Sequence, residues 1–520
     1  MLNTDIKVPL PAKGIVNVNS GNKTYVQYTV SAYRNATGKP TSRRVVIGKL
    51  DEQSGMLIPN RNYYEIYMGQ PAHLSGTLKS TGTYSAFSAI CKKTGLENKL
   101  SALFGERAAK LLTIAQYMLT EGNIMYYLPD YQEEKRTYCE NSISSADASR
   151  LFESITKEEI TAFFHLWGKI RKSKEYIAYD VTSFSSYGKR NIDLEWGYNR
   201  DKEKLPQINM GVYYGEESML PLYYRVYPGS ISDKAHLKYI MEDNDSINCK
   251  KARYIMDRGF YSGDNLRYLV EKNCRFIIAL PGSLKYAKEL VARHRDEIVN
   301  RSECVLGAGL PLGKAYEINE LGFRMKVHIY YDSAKATAEN NNLLDLLEHQ
   351  ENDLRLMEEP PDKKLHYDKY FFINRSKDGK LGFVRNYKAI DEEFVRSGFF
   401  LLAETDFTKT TAEVLETYRR RDVVEKCFDE LKNELDMKRL HTQTRETTEG
   451  KLFVAFISLI VRSYMQNKLK AHLKSNGYTM KKVFVELGKI KSSYKSKTDD
   501  YMEINPLTKT QRDIFDVLNA

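Results

Sequence analysis

RYIMDRGFYSGDNL, residues 253–266, decides how the rest of the chain is read. A short run of aromatic, β-branched and long apolar side chains ends in Asp257. An Arg-Gly turn follows, and Ser-Gly-Asp then opens a stretch of helical spacing. The sequence EYIAYDVTSFS (175–185) repeats the first half of that format, with a strand ending at Asp180. Between and beyond them, strands are expected at 210–214, 222–227 and 276–280, and helices near 234–241 and 263–272. Three strands followed by helix, strand, helix and strand predict an α/β fold, a mixed sheet flanked by helices.

Further outward the pattern changes. Residues 24–50 (TYVQYTVSAYRNATGKPTSRRVVIGKL) alternate β-branched and aromatic residues around a turn, so residues 1–90 read as a small β-rich module. Helical spacing then runs through 91–172, a module able to bind DNA, with Ser154 and Thr156 as expected caps. The core strands occupy 173–280. Residues 281–396 interrupt them with strand-like pieces (RMKVHIYY, KYFFIN) around a helix at 340–358, and are nearly neutral in charge. Residues 397–445 resume the core with a strand at 399–403 and one long helix at 411–436, and 446–520 form a basic helical tail.

Composition narrows the functional classes. The net charge of +11 and pI near 9.0 suit a polyanionic partner, since lysines and arginines that neutralise phosphates release condensed counterions. From residue 451 to 520 there are 13 Lys+Arg against 6 Asp+Glu, so the excess is concentrated in the tail. The apolar run 453–461 is far shorter than the roughly 20 residues a membrane helix needs, and residues 1–13 lack the basic start and apolar stretch of a secretion signal. A cytoplasmic protein is the expectation. The six cysteines are widely spaced and read as reduced core residues, without a zinc or disulfide pattern.

Three acidic positions stand out. Asp180 and Asp257 follow strands, where a carboxylate can leave an apolar sheet. Taken singly, each is also an ordinary turn residue or helix cap. In ETYRRRDVVEKCFDELKNELD (416–436), Tyr418, Arg421, Glu425 and Lys432 are spaced by 3, 4 and 7 residues, which on a continuous helix places them on one stripe. Such a stripe also describes a solvated face with an Arg421–Glu425 pair. Cleavage of a phosphodiester favours the other reading, because clustered carboxylates hold hard cations and neighbouring basic residues grip phosphate. Asp233 and Arg258 are second candidates, against roles as a helix cap and a surface pair. The histidines show no ligand spacing, and His441 has no assigned role.

These residues resemble the transposases of the IS-four superfamily, whose tyrosine, arginine, glutamate, lysine signature matches Tyr418, Arg421, Glu425 and Lys432. Asp180 in YDVTSF and Asp257 in MDRGFYS look like that family's two aspartates, and the 168-position separation of Asp257 and Glu425 resembles its large β-rich insertion. The N-terminal TYVQYTVSAYRNATGKP is similar to the branch named after IS-sixteen-thirty-four. The resemblance implies an RNase H-like core and an active site of Asp180, Asp257 and Glu425 holding two magnesium or manganese ions. It further implies cut-and-paste movement of a bacterial insertion sequence, DNA partners (terminal inverted repeats and target), a homodimer in the synaptic complex and a nucleoid-associated location. Tyr418, Arg421 and Lys432 would hold DNA phosphate.

One departure is visible. Some relatives hold a flipped base with a tryptophan in the insertion, whereas Trp167 and Trp196 both precede it. Two other readings remain: a transposase-derived DNA-binding protein without activity, and a nuclease of the same core that cuts without joining.

Overall fold

In the computed structural model of the chain, the described residues are 7–21, 23–34, 38–60, 62–69, 77–172, 174–239, 243, 251–362, 366–375, 381–494, 502–503 and 507–519. They divide into two compact units, Met1–Ile155 with Gly450–Ala520, and Thr156–Glu449.

The first unit opens on an antiparallel sheet of β1 (Ile15–Ser20), β2 (Lys23–Arg34), β3 (Pro40–Asp51) and β4 (Met56–Pro59), in that order. The alternation of residues 24–50 produces β2 and β3, whose inward Val26 and Ile47 meet Leu57 and Tyr63 in a small core. After β5 (Thr77–Ser80) come helices Gly82–Lys93, Leu96–Phe104, Arg107–Glu121, Leu128–Glu134 and Ser145–Glu153. Ser144 starts the last of these through a capping box with Asp147, so Ser154 closes that helix instead of opening the next. Thr156 does cap the helix Lys157–Trp167, paired with Glu159.

The second unit contains β6 (Ile177–Ser185), β7 (Gln207–Gly215), β8 (Pro221–Pro228), β9 (Arg253–Met256), β10 (Arg275–Ala279), β11 (Leu312–Ile318), β12 (Met325–Tyr331), β13 (Phe371–Arg375), β14 (Leu381–Arg385) and β15 (Phe399–Glu404). Eight of them form one mixed sheet in the order β11-β12-β15-β10-β9-β6-β7-β8. β9 runs parallel to β6 and to β10, and every other neighbouring pair is antiparallel. Both faces are buried, which explains strands that read as continuous apolar runs. On one face Tyr179, Tyr254, Met256, Phe276 and Ile278 pack with Leu266 and Leu269 of the helix Gly263–Glu271 and with Leu290 and Val291 of the helix Lys285–Asn300. On the other, Ile255, Ile277 and Leu402 pack against Val414 and Leu415 of the helix Thr411–Arg419. Burying Val414 and Leu415 contributes about 2 kcal/mol each, which fixes that helix to the sheet.

Residues 281–396 are divided between two roles. β11 and β12 extend the central sheet, because β12 pairs with β15 along the whole length of β15. The β13–β14 hairpin forms a separate core with Leu343, Leu347 and Leu354 of the helix Ser333–Leu356. That helix starts earlier than residue 340 because the Asp332 side chain caps it by accepting from the Lys335 N–H.

The helix Arg445–Asn476 joins the first unit from Gly450 onward, followed by the helix Met480–Gly488, β16 (Lys491–Tyr494), β17 (Met502–Glu503) and the helix Lys509–Asn519. β16 pairs with β5 and β17. Residues 453–461 are fully buried. So are Lys451, which donates to Asn123 Oδ1 at 2.8 Å, and Arg462, so not all of the tail's positive charge faces solvent. Among the described residues no helix is long and apolar enough to cross a membrane. Cys91, Cys139, Cys274, Cys304 and Cys427 are free thiols, and Cys249 lies outside the described residues.

Candidate active site

Register brings the two aspartates together. Ile177 pairs with Tyr254 and Ala178 with Ile255 across the parallel β6–β9 ladder, and the same alignment carried two residues further sets Asp180 beside Asp257. Side chains alternate along a strand, so Asp180 and Asp257 emerge on the face of Ile255, opposite that of Tyr179 and Met256. This is the face covered by the helix Thr411–Arg419. Asp180 is not at a strand end as its sequence suggests. β6 continues to Ser185 on β7, and Asp180 pairs there with Val212. Its neighbour β9 is what stops, at Met256. Asp257 then leaves the ladder in an extended conformation and opens the turn Arg258–Phe260.

The segment that meets them is not one helix. Thr411–Arg419 ends with Arg420, the helix Asp422–Asp429 starts after Arg421, and Glu430–Glu434 is a π turn. At the first break the backbone tightens into i→i+3 bonds, Val423 N–H to Arg420 O and Val424 N–H to Arg421 O. The break sends adjacent arginines to different carboxylates. Arg420 pairs with Glu216, while Arg421 approaches Asp180 Oδ2 at 3.6 Å and Glu425 Oε1 at 2.7 Å.

Tyr418 donates its hydroxyl to Asp257 Oδ1 at 3.4 Å, and the Arg421 guanidinium lies 5.7 Å from the Tyr418 ring centre. Burial, opposed by Arg421 and reinforced by Asp257, pushes the Tyr418 phenol up to about 12. Asp180 accepts from the Val181 N–H at 2.8 Å and lies 3.7 Å from Arg200. Burial pushes Asp180 up to about 6. Arg200, the Val181 N–H and Arg421 act against that rise, and the neighbouring Asp257 carboxylate adds to it.

Four of the six expected residues therefore meet through contacts with Arg421 or Asp257, and Glu425 joins them through Arg421 while its own side chain is half exposed. Lys432 does not join. It sits on the π turn, buried, with its ammonium on Asp201 Oδ2 at 2.5 Å. Asp233 is tied in through Arg200, which it meets at 2.6 Å, and it accepts from the Tyr227 hydroxyl at 3.0 Å. Arg258 is exposed and pairs with no carboxylate among the described residues. Arg200 and Asp201 were not legible beforehand, because 186–206 is a loop without period.

Carboxylate oxygens are the donors a hard divalent cation prefers. The arrangement, however, does not fit a bound ion: among the described residues no group of three or more His, Cys, Asp or Glu side chains could hold a metal. The Arg421 guanidinium bridges Asp180 and Glu425 instead, with its buried Nε lacking a hydrogen-bond partner among the described residues. In this state Asp180 and Glu425 face arginines, and Asp257 accepts from the Tyr418 hydroxyl.

Comparison with known proteins gives a family-level result. The model of the family described as transposase DDE domain matches residues 171–461, more than half of the chain. No curated protein matches. Among solved structures, a piggyBac transposase synaptic complex with hairpin DNA aligns with 10% sequence identity over 78% of this chain and 77% of that one, at a TM-score of 0.35.

Proposed function

Because the chain belongs to the transposase DDE domain family, we propose that it is an active DNA transposase that hydrolyses phosphodiester bonds at the ends of its element and joins them to target DNA. The observation that carries this reading is the placement of Asp180 on β6 beside Asp257, which directly follows the adjacent parallel strand β9, with Tyr418 reaching Asp257 and Arg421 reaching Asp180 from the facing segment. The strand order supports an RNase H-like reading of the core: two antiparallel neighbours, β7 and β8, on one side of β6, and parallel β9 and β10 on the other.

DDE transposase domains generally use divalent metal ions. Asp180, Asp257 and Glu425 are the residues that would hold magnesium or manganese, two ions per site, once Arg421 had released Glu425. Tyr418 and Arg421 are placed to hold a DNA phosphate by charge-assisted bonds. Lys432 fills that role only if it leaves Asp201. Within the same reading, the element is a bacterial insertion sequence moved by cut-and-paste, the active species is a homodimer on two inverted repeats, and the N-terminal modules or the basic tail read the DNA.

The Arg421 bridge favours a second reading, a DNA-binding protein that no longer cuts. The deciding experiment incubates the purified chain and Mg²⁺ with duplexes from both ends of the DNA segment that encodes it, plus a target plasmid. Nicked ends and joined products that vanish in Asp257→Asn support the transposase. Binding without cleavage supports the silent protein, and cleavage without joining a nuclease.

A further inference from the structure

The β6–β7 connection, residues 186–206, leaves three aromatic side chains in solvent. Tyr187 is 61% exposed, Trp196 67% and Tyr198 86%. Aromatic side chains of this size dominate interface energetics when covered, and here three of them share one loop.

The loop is held from beneath. Asn199 donates to Ser185 Oγ at 3.0 Å, Gln207 donates to the Tyr198 carbonyl at 3.0 Å, and Glu195 and Gln207 exchange two backbone hydrogen bonds. Between Trp196 and Tyr198, Gly197 lies so close to Gly229 that any Cβ would collide with the Gly229 carbonyl. The two rings thus project from a fixed backbone, and covering them costs little further ordering.

Charge selects the occupant. Three of the loop's acids are engaged, Asp193 with Arg445, Asp201 with Lys432 and Glu203 with Arg439. The fourth, Glu195, binds the Ser230 hydroxyl. Lys189, Arg190, Lys202 and Lys204 are exposed and pair with no carboxylate among the described residues. Unpaired cations interleaved with exposed rings suit a strand that offers both phosphates and unstacked bases. The loop also reaches the candidate active site, since Arg200 contacts Asp180.

We propose that the 186–206 loop is a docking platform for unpaired DNA, on which bases stack against Trp196 and Tyr198 while the flanking lysines and arginine hold the backbone. The proposal rests on the transposase reading and adds to it where the strand entering the Asp180–Asp257 site lies. Stacking of this kind is tolerant of sequence, because every base has a π face.

The chain supplies its own reporter. It has two tryptophans, and Trp167 is fully buried with its indole on the Pro221 carbonyl, so Trp196 accounts for the solvent-sensitive emission. In chelator, the full chain is titrated with a blunt duplex and with the same duplex carrying a single-stranded tail of about ten nucleotides. The expected result is emission quenching by the tailed duplex alone, lost in Trp196→Leu, together with an affinity loss of about tenfold for the tailed duplex. Tyr198→Leu, at a second exposed position, should weaken tail binding alike. Equal quenching by both duplexes, or tailed-duplex binding seen by anisotropy with emission unchanged, overturns the platform and leaves the transposase reading standing. An emission change driven by protein concentration alone assigns the surface to a second copy and also overturns it. Absence of binding to either duplex overturns both readings.

Discussion

Asp180 lies in β6 and Asp257 directly follows β9, strands whose register is fixed by ladders on both sides, whereas Tyr418, Arg421, Glu425 and Lys432 are carried by a segment that breaks at Arg420–Arg421 and widens into a π turn at Glu430–Glu434. The difference shows in exposure: the Asp180 side chain is 14% exposed, that of Glu425 53%. The sheet half is built in place, while the helical half holds its glutamate through an arginine. Interruptions such as a π turn recur at functional sites, where they re-aim side chains. Here the breaks send Arg421 to the acids and Lys432 away from them.

The largest expected effect asks whether the two halves share one chemistry. Asp180→Asn, Asp257→Asn and Glu425→Gln should each lower end cleavage by on the order of 10³-fold, the loss appropriate to several kcal/mol of charge stabilisation. The measurement is single-turnover nicking of end duplexes in Mg²⁺. A Glu425→Gln loss below about tenfold, beside full losses at the aspartates, would restrict the catalytic set to the strands.

The sheet half should also be the stability-critical one. Asp406, just after β15, is buried and pairs with Arg275, with Arg253 at 3.0 Å and with the Tyr176 hydroxyl at 3.0 Å, linking the starts of β6, β9 and β10. Asp406→Ala leaves two arginines without their counterion and should destabilise the second unit by about 3 kcal/mol. Urea unfolding followed by amide exchange in β9 and β10 checks it. A change below about 1 kcal/mol would show that the helices, and not this cluster, hold the sheet together.

The same contrast explains what the sequence disclosed. Short apolar, β-branched and aromatic runs such as RYIM and IAYDVTSFS are local signals, so the strands and both aspartates could be located from residues a few positions apart. The continuation of β6 past Asp180 was not legible, because it depends on β7 outlasting β9. The run ETYRRRDVVEKCFDELKNELD contains no glycine or proline and has good helix formers, so propensity predicts one helix. The break goes with tertiary contacts that local sequence does not carry: Arg420 meets Glu216 and Arg421 meets Asp180, partners more than two hundred residues away. Arg200, a counterion of Asp180, sits in a loop and gives no periodic signal at all.

A third expected effect follows from the burial of Asp180. Its native carboxyl is pushed up to about 6 from an ordinary 3.8, so between those values the native state retains a proton that the unfolded chain releases. Stability must then fall as pH rises through that window, and above pH 6 the whole penalty, about 3 kcal/mol, is present. In chelator, Asp180→Asn should be more stable than the parent at pH 7 by up to that amount and indistinguishable from it below about pH 4. Thermal unfolding across pH checks this. A stability gain that persists unchanged at pH 4 would assign it to packing instead of charge.

The smallest expected effect tests the helical half alone. Glu425 is half exposed, and its pairing with Arg421 is an i,i+4 contact of the kind that contributes a few tenths of a kcal/mol. Glu425→Gln should change stability by no more than about 0.5 kcal/mol, because Arg421 keeps Asp180 at 3.6 Å as a counterion. Set beside a large loss of cleavage, that near-silence would mean the glutamate is retained for chemistry and contributes little to the fold. A destabilisation of about 2 kcal/mol or more would reverse the inference. The Arg421–Glu425 bridge would then hold the two short helices at their break, and any loss of activity in the variant would report a displaced helix, with Tyr418 drawn off Asp257, and not a missing carboxylate.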